Sequence, residues 1–235
     1  MSSQILHESA RGTSLADVRP AMRTGSANEC FLVTVLIDYG IGMVVALVAV
    51  VPIILAGLLV FLEDLRWPFH AATRVGRGGV LFRQWKLRTM RVGADKLLEE
   101  HLKADAAVRS LWQAHGKLSH DPRVTRVGRL LRALSVDELP QLFNVLAGHM
   151  SLVGPRPLRP DELDAVFGPN RFLVTAVKPG LTGWWQIARR ADTTYQQRSR
   201  MVLWYLSKRS FWLDLFILLA TPWAVVYQAV ARIQR

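Results

Sequence analysis

Cysteine, acidic side chains and metal-binding histidine patterns are what this chain has least of. A single cysteine, Cys30, among 235 residues excludes an internal disulfide and suits a reducing compartment. The six histidines show no HExxH-like spacing, which argues against a zinc centre. The 18 Asp and Glu are outnumbered by 30 Lys and Arg, a formal net charge of +12, so anionic partners are expected. Nucleic acid, an anionic membrane surface and a phosphorylated substrate all qualify. No helix-turn-helix, ribonucleoprotein or zinc-finger signature is present, and 51% of the residues are hydrophobic with a positive mean hydropathy. That excludes nucleic acid as the expected partner and favours a membrane. Internal repeats, low-complexity tracts and an inter-domain linker are also lacking, so the length allows one globular domain plus membrane elements.

What is present begins with an apolar run. Tyr39 to Leu62 is 24 residues without a charge, bounded by Asp38 and by Glu63-Asp64. As a straight helix it spans about 36 Å against a bilayer core of about 30 Å. It is too long, and starts too far into the chain, for a signal peptide. Pro52 sits near its middle, removes an amide donor and predicts a kink there. Two topologies stay open: a kinked helix that crosses the bilayer, or a re-entrant hairpin that bends at Val51-Pro52. Arg11, Arg19 and Arg23 precede the run, while Arg66, Arg74, Arg77, Arg83, Lys86 and Arg88 follow it. The more basic following side is expected on the cytoplasmic face.

The most chemical stretch is DPRVTRVGRLLRALSVDELPQLFNVLAGHMSLVGPRP, residues 121–157. The adjacent carboxylates Asp137 and Glu138 follow Arg123, Arg126, Arg129 and Arg132 and precede Pro155-Arg156-Pro157. Carboxylates among cations suit phosphate chemistry, because they can hold a divalent metal or attack phosphorus while arginines neutralise phosphoryl oxygens. Ser135-Val136-Asp137-Glu138 fits a capping box, with the Ser135 hydroxyl and the Glu138 carboxylate exchanging bonds with each other's amides. Asp137 would then lie in a helical first turn, where the dipole favours its ionised form. Leu139, Leu142, Phe143 and Leu146 make an apolar stripe expected to face the core. Arg126 and Arg129 read as a solvated or headgroup-facing stripe.

The remainder reads coarsely. Residues 93–115 look helical, with Leu97, Leu98, Leu102, Val108, Leu111 and Trp112 on an apolar face. Val80 to Arg88 predicts a short strand that presents Lys86 and Arg88 together. Gly76-Arg77-Gly78-Gly79 lacks the strand and helix context of a dinucleotide fingerprint and is expected to be a basic turn. Gly- and Pro-rich residues 148–160 and 178–183 are expected to be loops. Phe211 to Val230 is apolar, contains Pro222, and holds Asp214 inside the run, which suits an interfacial helix. Trp184-Trp185 could stack a base or pack in the core.

Five motifs in order carry a resemblance to a known family. Lys86-Leu87-Arg88-Thr89-Met90, DPRVT, SVDELPQLFNVL, MSLVGPRP and KPGLTGWWQ (Lys178 to Gln186) fall over residues 86–186. The chain closely resembles the bacterial sugar transferases, the polyprenyl-phosphate hexose-1-phosphate transferases or monotopic phosphoglycosyl transferases. The resemblance implies a mostly α fold with a small β element. It implies a compact, membrane-associated (monotopic) catalytic domain with a re-entrant, proline-broken membrane helix, Pro52 its hinge, and interfacial amphipathic helices. The expected division is a mobile tail over 1–30, a membrane hairpin over 31–64, a cytoplasmic catalytic domain over 65–210 and an interfacial helix over 211–235.

The same resemblance implies transfer of a sugar 1-phosphate from a UDP-sugar to a polyprenol phosphate such as undecaprenyl phosphate, releasing UMP. This would be the first membrane step of exopolysaccharide, capsule or glycan assembly, on the cytoplasmic face of the bacterial inner membrane. Asp137 is implied as nucleophile and Glu138 as the Mg²⁺ ligand. Lys86, Arg88 and Arg132 are implied as phosphate contacts, and Pro155, Arg156 and Pro157 as a rigid substrate-steering element. UDP-sugar, polyprenol phosphate and membrane lipids are the expected partners; a homo-oligomer is compatible with them.

The chain departs from the family pattern in four places. A Gln-Glu pair is missing at Ala72-Thr73, Ala188-Arg189-Arg190 replaces Ser-Gly-Arg, Met201 stands at an acidic position, and Leu87 replaces phenylalanine. The lost pair keeps a second reading alive, a catalytically weak, membrane-attached assembly partner of a polysaccharide machine. The intact Asp137-Glu138 pair argues against it.

Overall fold

The computed structural model describes residues 27–115, 118, 121–188 and 195–233. The expected tail over 1–30 falls mostly outside them. The described residues are mostly helical, with two small two-stranded sheets among them.

Helix α1 (Ala27–Asp64) takes up the whole apolar run. Its buried positions Ala46, Ala49, Ile53, Ala56 and Val60 recur every three or four residues and pack on the domain core. Small side chains on this stripe let the helix approach closely. Val44, Leu47, Val48, Val51, Ile54, Leu55, Leu58 and Leu62 remain exposed on the other side. The expected bend at Val51-Pro52 does not divide this helix. The helix passes through Pro52 unbroken, and Ala49 and Ile53 on either side of it are buried in the same core.

Strands β1 (Phe69–Val75) and β2 (Leu81–Leu87) form an antiparallel hairpin, with Ala72 opposite Gln84 and His70 opposite Lys86. The glycine-rich turn between them is the expected basic turn, with Gly78 and Gly79 at positive φ. The helix expected over 93–115 is two helices, α2 (Ala94–Ala104) and α3 (Ala106–His115). Asp105 divides them, since its Oδ1 accepts the Ala107 and Val108 amides at 2.8 and 3.2 Å as an N-cap. Helices α4 (Arg126–Leu134) and α5 (Gln141–Leu146) flank the Val136–Glu138 turn.

The expected loops at 148–160 and 178–183 hold a parallel ladder, β3 (Ser151–Val153) with β4 (Gly180–Thr182). A Cβ on Gly180 would overlap the Gly154 backbone, so glycine here serves close approach rather than a turn. Between these strands lie α6 (Pro160–Phe167) and α7 (Arg171–Thr175). Helices α8 (Trp184–Ala188), α9 (Tyr195–Lys208) and α10 (Phe211–Ile233) follow.

Leu142, Val145, Met150, Leu152, Leu173, Trp184, Tyr205 and Ile217 form the heart of the core. Buried carboxylates join the two long apolar helices to it. Asp38 of α1 accepts from Ser151 Oγ at 2.9 Å and from the Leu152 amide at 2.7 Å. Asp214 of α10 accepts from Tyr205 Oη at 2.7 Å, which explains an acid inside an apolar run: it faces the protein. The outward side of α10 carries Trp212, Leu219, Trp223 and Tyr227, with Trp223 77% exposed. By length and composition, both α1 over Asp38–Asp64 and α10 over Phe211–Val230 could cross a membrane.

Candidate active site

Three elements converge on the carboxylate pair. Helix α4 starts at Thr125, whose Oγ1 accepts the Gly128 amide at 2.9 Å. It ends at Ser135, which takes the left-handed conformation at φ +57° and donates its amide to Arg132 O at 3.4 Å. That geometry overturns the capping box. Ser135 closes α4 instead of opening the next helix, and its hydroxyl makes no cap bond. The following Val136–Glu138 turn is tight, and the true α5 begins only at Gln141 after Pro140. The expected apolar stripe is correspondingly rotated. Leu142 and Val145 are buried with the polar Gln141 and Asn144, whereas Phe143 is exposed.

Asp137 is 8% exposed and points into the domain. Burial pushes its carboxyl up to about 6, Glu138 adds to the rise, and Lys86 and Arg132 oppose it. Lys86, on the inner face of β2, donates to Glu138 Oε1 at 2.7 Å. Arg132 donates through Nε to Thr89 Oγ1 at 2.8 Å; burial lowers its guanidinium from the ordinary value, with Asp137 and Asp121 countering. Two carboxylates and two cations therefore share one partly enclosed site, the cations balancing charge beside a carboxylate that burial disfavours.

A model of the family described as "Bacterial sugar transferase" matches residues 30–228. The chain belongs to that family. It is 44% identical over 154 residues to the "UDP-galactose-lipid carrier transferase" of Erwinia amylovora, covering 66% of this chain and 32% of that one. It is 41% identical over 183 residues to the "Exopolysaccharide production protein ExoY" of Sinorhizobium fredii, covering 77% and 80%. With the "UDP-glucose:undecaprenyl-phosphate glucose-1-phosphate transferase" of Caulobacter vibrioides it shares 39% identity over 176 residues, covering 72% and 60%. The match spans about a third of the length of the Erwinia relative.

Within this family member, the residues singled out in the sequence separate into two groups. Lys86, Arg132, Asp137 and Glu138 come together. Arg88 does not join them: its guanidinium pairs with Asp64 at the end of α1, Nη2 to Oδ1 at 2.6 Å, and donates to Trp67 O at 2.9 Å. Strand β2 ends at Leu87, so the alternation that was to align Arg88 with Lys86 stops one residue short. Arg156 lies instead 5.0 Å over the Trp185 ring, held between the buried Pro155 and Pro157 and neighbouring Arg74. Pro155 O accepts the Gly180 amide at 2.8 Å, so this segment braces the parallel ladder. Trp184 and Trp185 are core residues, with Trp184 4.6 Å from Trp204. Arg126 and Arg129 are exposed, as expected of a solvated stripe.

Further polar residues support the site. Asn144 Oδ1 accepts the Trp85 amide at 2.9 Å and its Nδ2 donates to Arg83 O at 2.8 Å, so it docks α5 on β2. Arg123 chelates Asp121, Nη2 to Oδ2 at 2.7 Å, and lies 5.0 Å from the Trp112 ring. Burial alone would raise Asp121, but the Arg123 hydrogen bonds outweigh it and its carboxyl ends below the ordinary value. Gln84 and Gln141 bond to each other at 2.9 Å. The Gln missing at Ala72 has its counterpart directly across the hairpin, since Gln84 is the register partner of Ala72 on the same face.

Among the described residues no group of three His, Cys, Asp or Glu side chains could cage a metal. Asp137 and Glu138 are the residues that could hold Mg²⁺, which takes one or two carboxylates with substrate phosphates completing its shell; burial first and Glu138 second raise Asp137, and a cation would oppose both.

Proposed function

We propose that this protein transfers a sugar 1-phosphate from a UDP-sugar to a polyprenol phosphate, giving a polyprenol diphosphate sugar and UMP. The observation that carries the reading is the buried Asp137, flanked by the Glu138–Lys86 pair and by Arg132. The names of the Erwinia and Caulobacter relatives, which join a UDP-sugar to a lipid carrier, support it. The Sinorhizobium relative's name supports a place in exopolysaccharide production.

In this reading Asp137 is the nucleophile. A carboxylate oxygen forms a bond to the sugar-linked phosphorus as UMP departs, and the resulting ester is then cleaved by the polyprenol phosphate. Two displacements replace one difficult transfer. Burial serves this step, because a poorly solvated carboxylate attacks without first shedding water. Lys86 and Arg132 balance the phosphoryl charge that enters the site. Glu138, with Asp137, would hold Mg²⁺, which when bound neutralises diphosphate charge and stabilises the leaving UMP. Arg156, on its rigid proline frame, steers substrate from outside this cluster.

The membrane attachment we propose is monotopic, on the cytoplasmic face of the bacterial inner membrane. Both long helices bury one side in the domain and leave the other apolar, as helices lying in a lipid interface do. In this reading the site lies at headgroup depth, where the acceptor phosphate presents itself. The test is UMP release by detergent-purified protein with Mg²⁺, undecaprenyl phosphate and a panel of UDP-sugars, beside Asp137→Asn. Release that requires the lipid and is lost in the variant supports the reading and names the sugar. No release with any donor overturns it.

A further inference from the structure

Beside the carboxylate pair, a cation sets the direction of two buried amides. Arg74 Nε donates to Gln84 Oε1 at 3.1 Å, and a guanidinium can only donate. The Gln84 oxygen is therefore turned to Arg74, and its Nε2 donates to Gln141 Oε1 at 2.9 Å. The second amide then has no choice either. With its oxygen committed to Gln84, its NH₂ group faces the other way, and Gln141 Nε2 is buried without a hydrogen-bond partner. Gln141 is only 2% exposed, so bulk water does not satisfy that donor. An unpaired buried donor is costly, and this one is held in place by two further residues.

Its location says what it is for. Glu138 and Gln141 meet the same face of β2, one through Lys86 and the other through Gln84, two strand residues away. Asp137 precedes Gln141 by four residues, and the intervening Leu139 and Pro140 both have helical φ and ψ. Side chains four apart in a helical stretch lie one turn apart on the same face, and a Gln–Asp pair at this spacing can hydrogen-bond. The charged form of Asp137 draws one hydrogen bond from its own backbone amide and otherwise leans on Lys86 and Arg132. A buried carboxylate short of donors and a buried donor without an acceptor are thus four residues apart along one helical stretch.

We propose that Gln141 is a positioning residue for Asp137: its side-chain amide hydrogen-bonds one carboxylate oxygen while the other attacks, and Gln84 and Arg74 hold that amide in the required direction. The proposal rests on the transfer reaction put forward above. In the step concerned, one Asp137 oxygen forms a bond to phosphorus, the bond from phosphorus to UMP breaks, and UMP leaves with the electron pair. The second oxygen becomes the carbonyl of the acyl phosphate and remains an acceptor for Gln141. No proton moves.

The test uses the full-length protein in detergent with Mg²⁺, undecaprenyl phosphate, and UDP-glucose and UDP-galactose as the donors. Gln141→Met removes the donor. Gln84→Glu keeps a partner for Arg74 but offers Gln141 an oxygen, so the Gln141 amide must invert and present its own oxygen to Asp137. Both variants are expected to lose about tenfold or more in kcat, with the donor KM within about twofold of the parent. A merely structural amide would lower the melting temperature and leave kcat within about twofold, which would overturn the proposal. A raised donor KM at unchanged kcat would overturn it too, since the amide would then be touching substrate. If Gln141→Met does not fold, Gln84→Glu decides alone. A parent protein that releases no UMP overturns the transfer reading and this proposal together, whereas an active parent with unaffected variants overturns only this one.

Discussion

Arg132 Nε donates to Thr89 Oγ1 at 2.8 Å, and the two segments that carry them touch at Gly128. A Cβ on Gly128 would overlap the Thr89 carbonyl and lie 2.8 Å from Thr125 Oγ1. The same carbonyl accepts the Thr125 amide at 3.1 Å, so neither side has room to yield. Gly128→Ala should push Thr89 away from α4 and take Arg132 out of register with Asp137. The expected cost is about 1–3 kcal/mol of stability, as for overpacking elsewhere, and at least about a tenfold loss of kcat/KM for UMP release. Gly40→Ala is the control, because its Cβ meets nothing within 4 Å. Equal activity in the two variants would refute the argument.

The raised carboxyl of Asp137 has a thermodynamic sign. Its folded value is about 6 against an ordinary 3.8, so between those values the folded state holds a proton that the unfolded chain has released. Stability therefore falls as pH rises through this window, and the penalty is complete above it. Asp137→Asn removes the charge and should stabilise the protein by roughly 2–3 kcal/mol at pH 7.5 in a chelating buffer. At pH 4 the gain should nearly vanish. Thermal melts of parent and variant at both pH values measure this. A variant less stable than the parent at pH 7.5 would show that Lys86 and Arg132 outweigh burial.

These two expectations draw on different depths of information. Asp137, Glu138, Lys86 and Arg132 were legible in the sequence because their types and order are chemical. Gly128 and Thr89 were not, because their importance lies in a close approach between segments some forty residues apart. The Ser135 capping box failed for a related reason: S-x-x-E is a local signal, but the preceding α4 needed a left-handed terminator at that residue. Helix α1 was legible as apolar and long. Its stripe of Ala46, Ala49 and Ala56 reads as helix-to-domain packing only once the domain is present, and the helix continues through Pro52. Gln84 and Gln141 carried no recognisable motif, since their role is set by pairing across fifty-seven positions.

Arg88 gives a cleaner division of labour. Because its guanidinium is committed to Asp64 and to the Trp67 and Arg66 carbonyls, it anchors the end of α1 rather than contacting a phosphate. The pair is solvent-accessible, so its stabilisation should be at most about 1 kcal/mol. Arg88→Ala and Asp64→Ala are expected to have similar small effects, and the double variant no more than either alone. Donor KM should stay within about twofold of the parent in all three. A rise in KM confined to Arg88→Ala, several-fold or more, would return that residue to the phosphate site.

The two sides of α1 make opposite predictions. Ala49 is buried against the core, so Ala49→Asp places an unpaired charge in an apolar contact and should prevent folding even in detergent. Val48 is exposed on the other side, so Val48→Asp should fold normally in detergent, with a melting temperature near that of the parent. In lipid, however, it puts a carboxylate where the monotopic reading places acyl chains. Retention on vesicles of bacterial phospholipid should therefore fall several-fold, together with turnover of membrane-embedded undecaprenyl phosphate. Leu219→Asp on the outward side of α10 should behave alike, because that side carries the same exposed apolar character. Flotation of the folded variants with vesicles reads this directly. If Val48→Asp and Leu219→Asp both float like the parent, neither outer side lies in lipid, and the exposed apolar surfaces must be covered by protein instead.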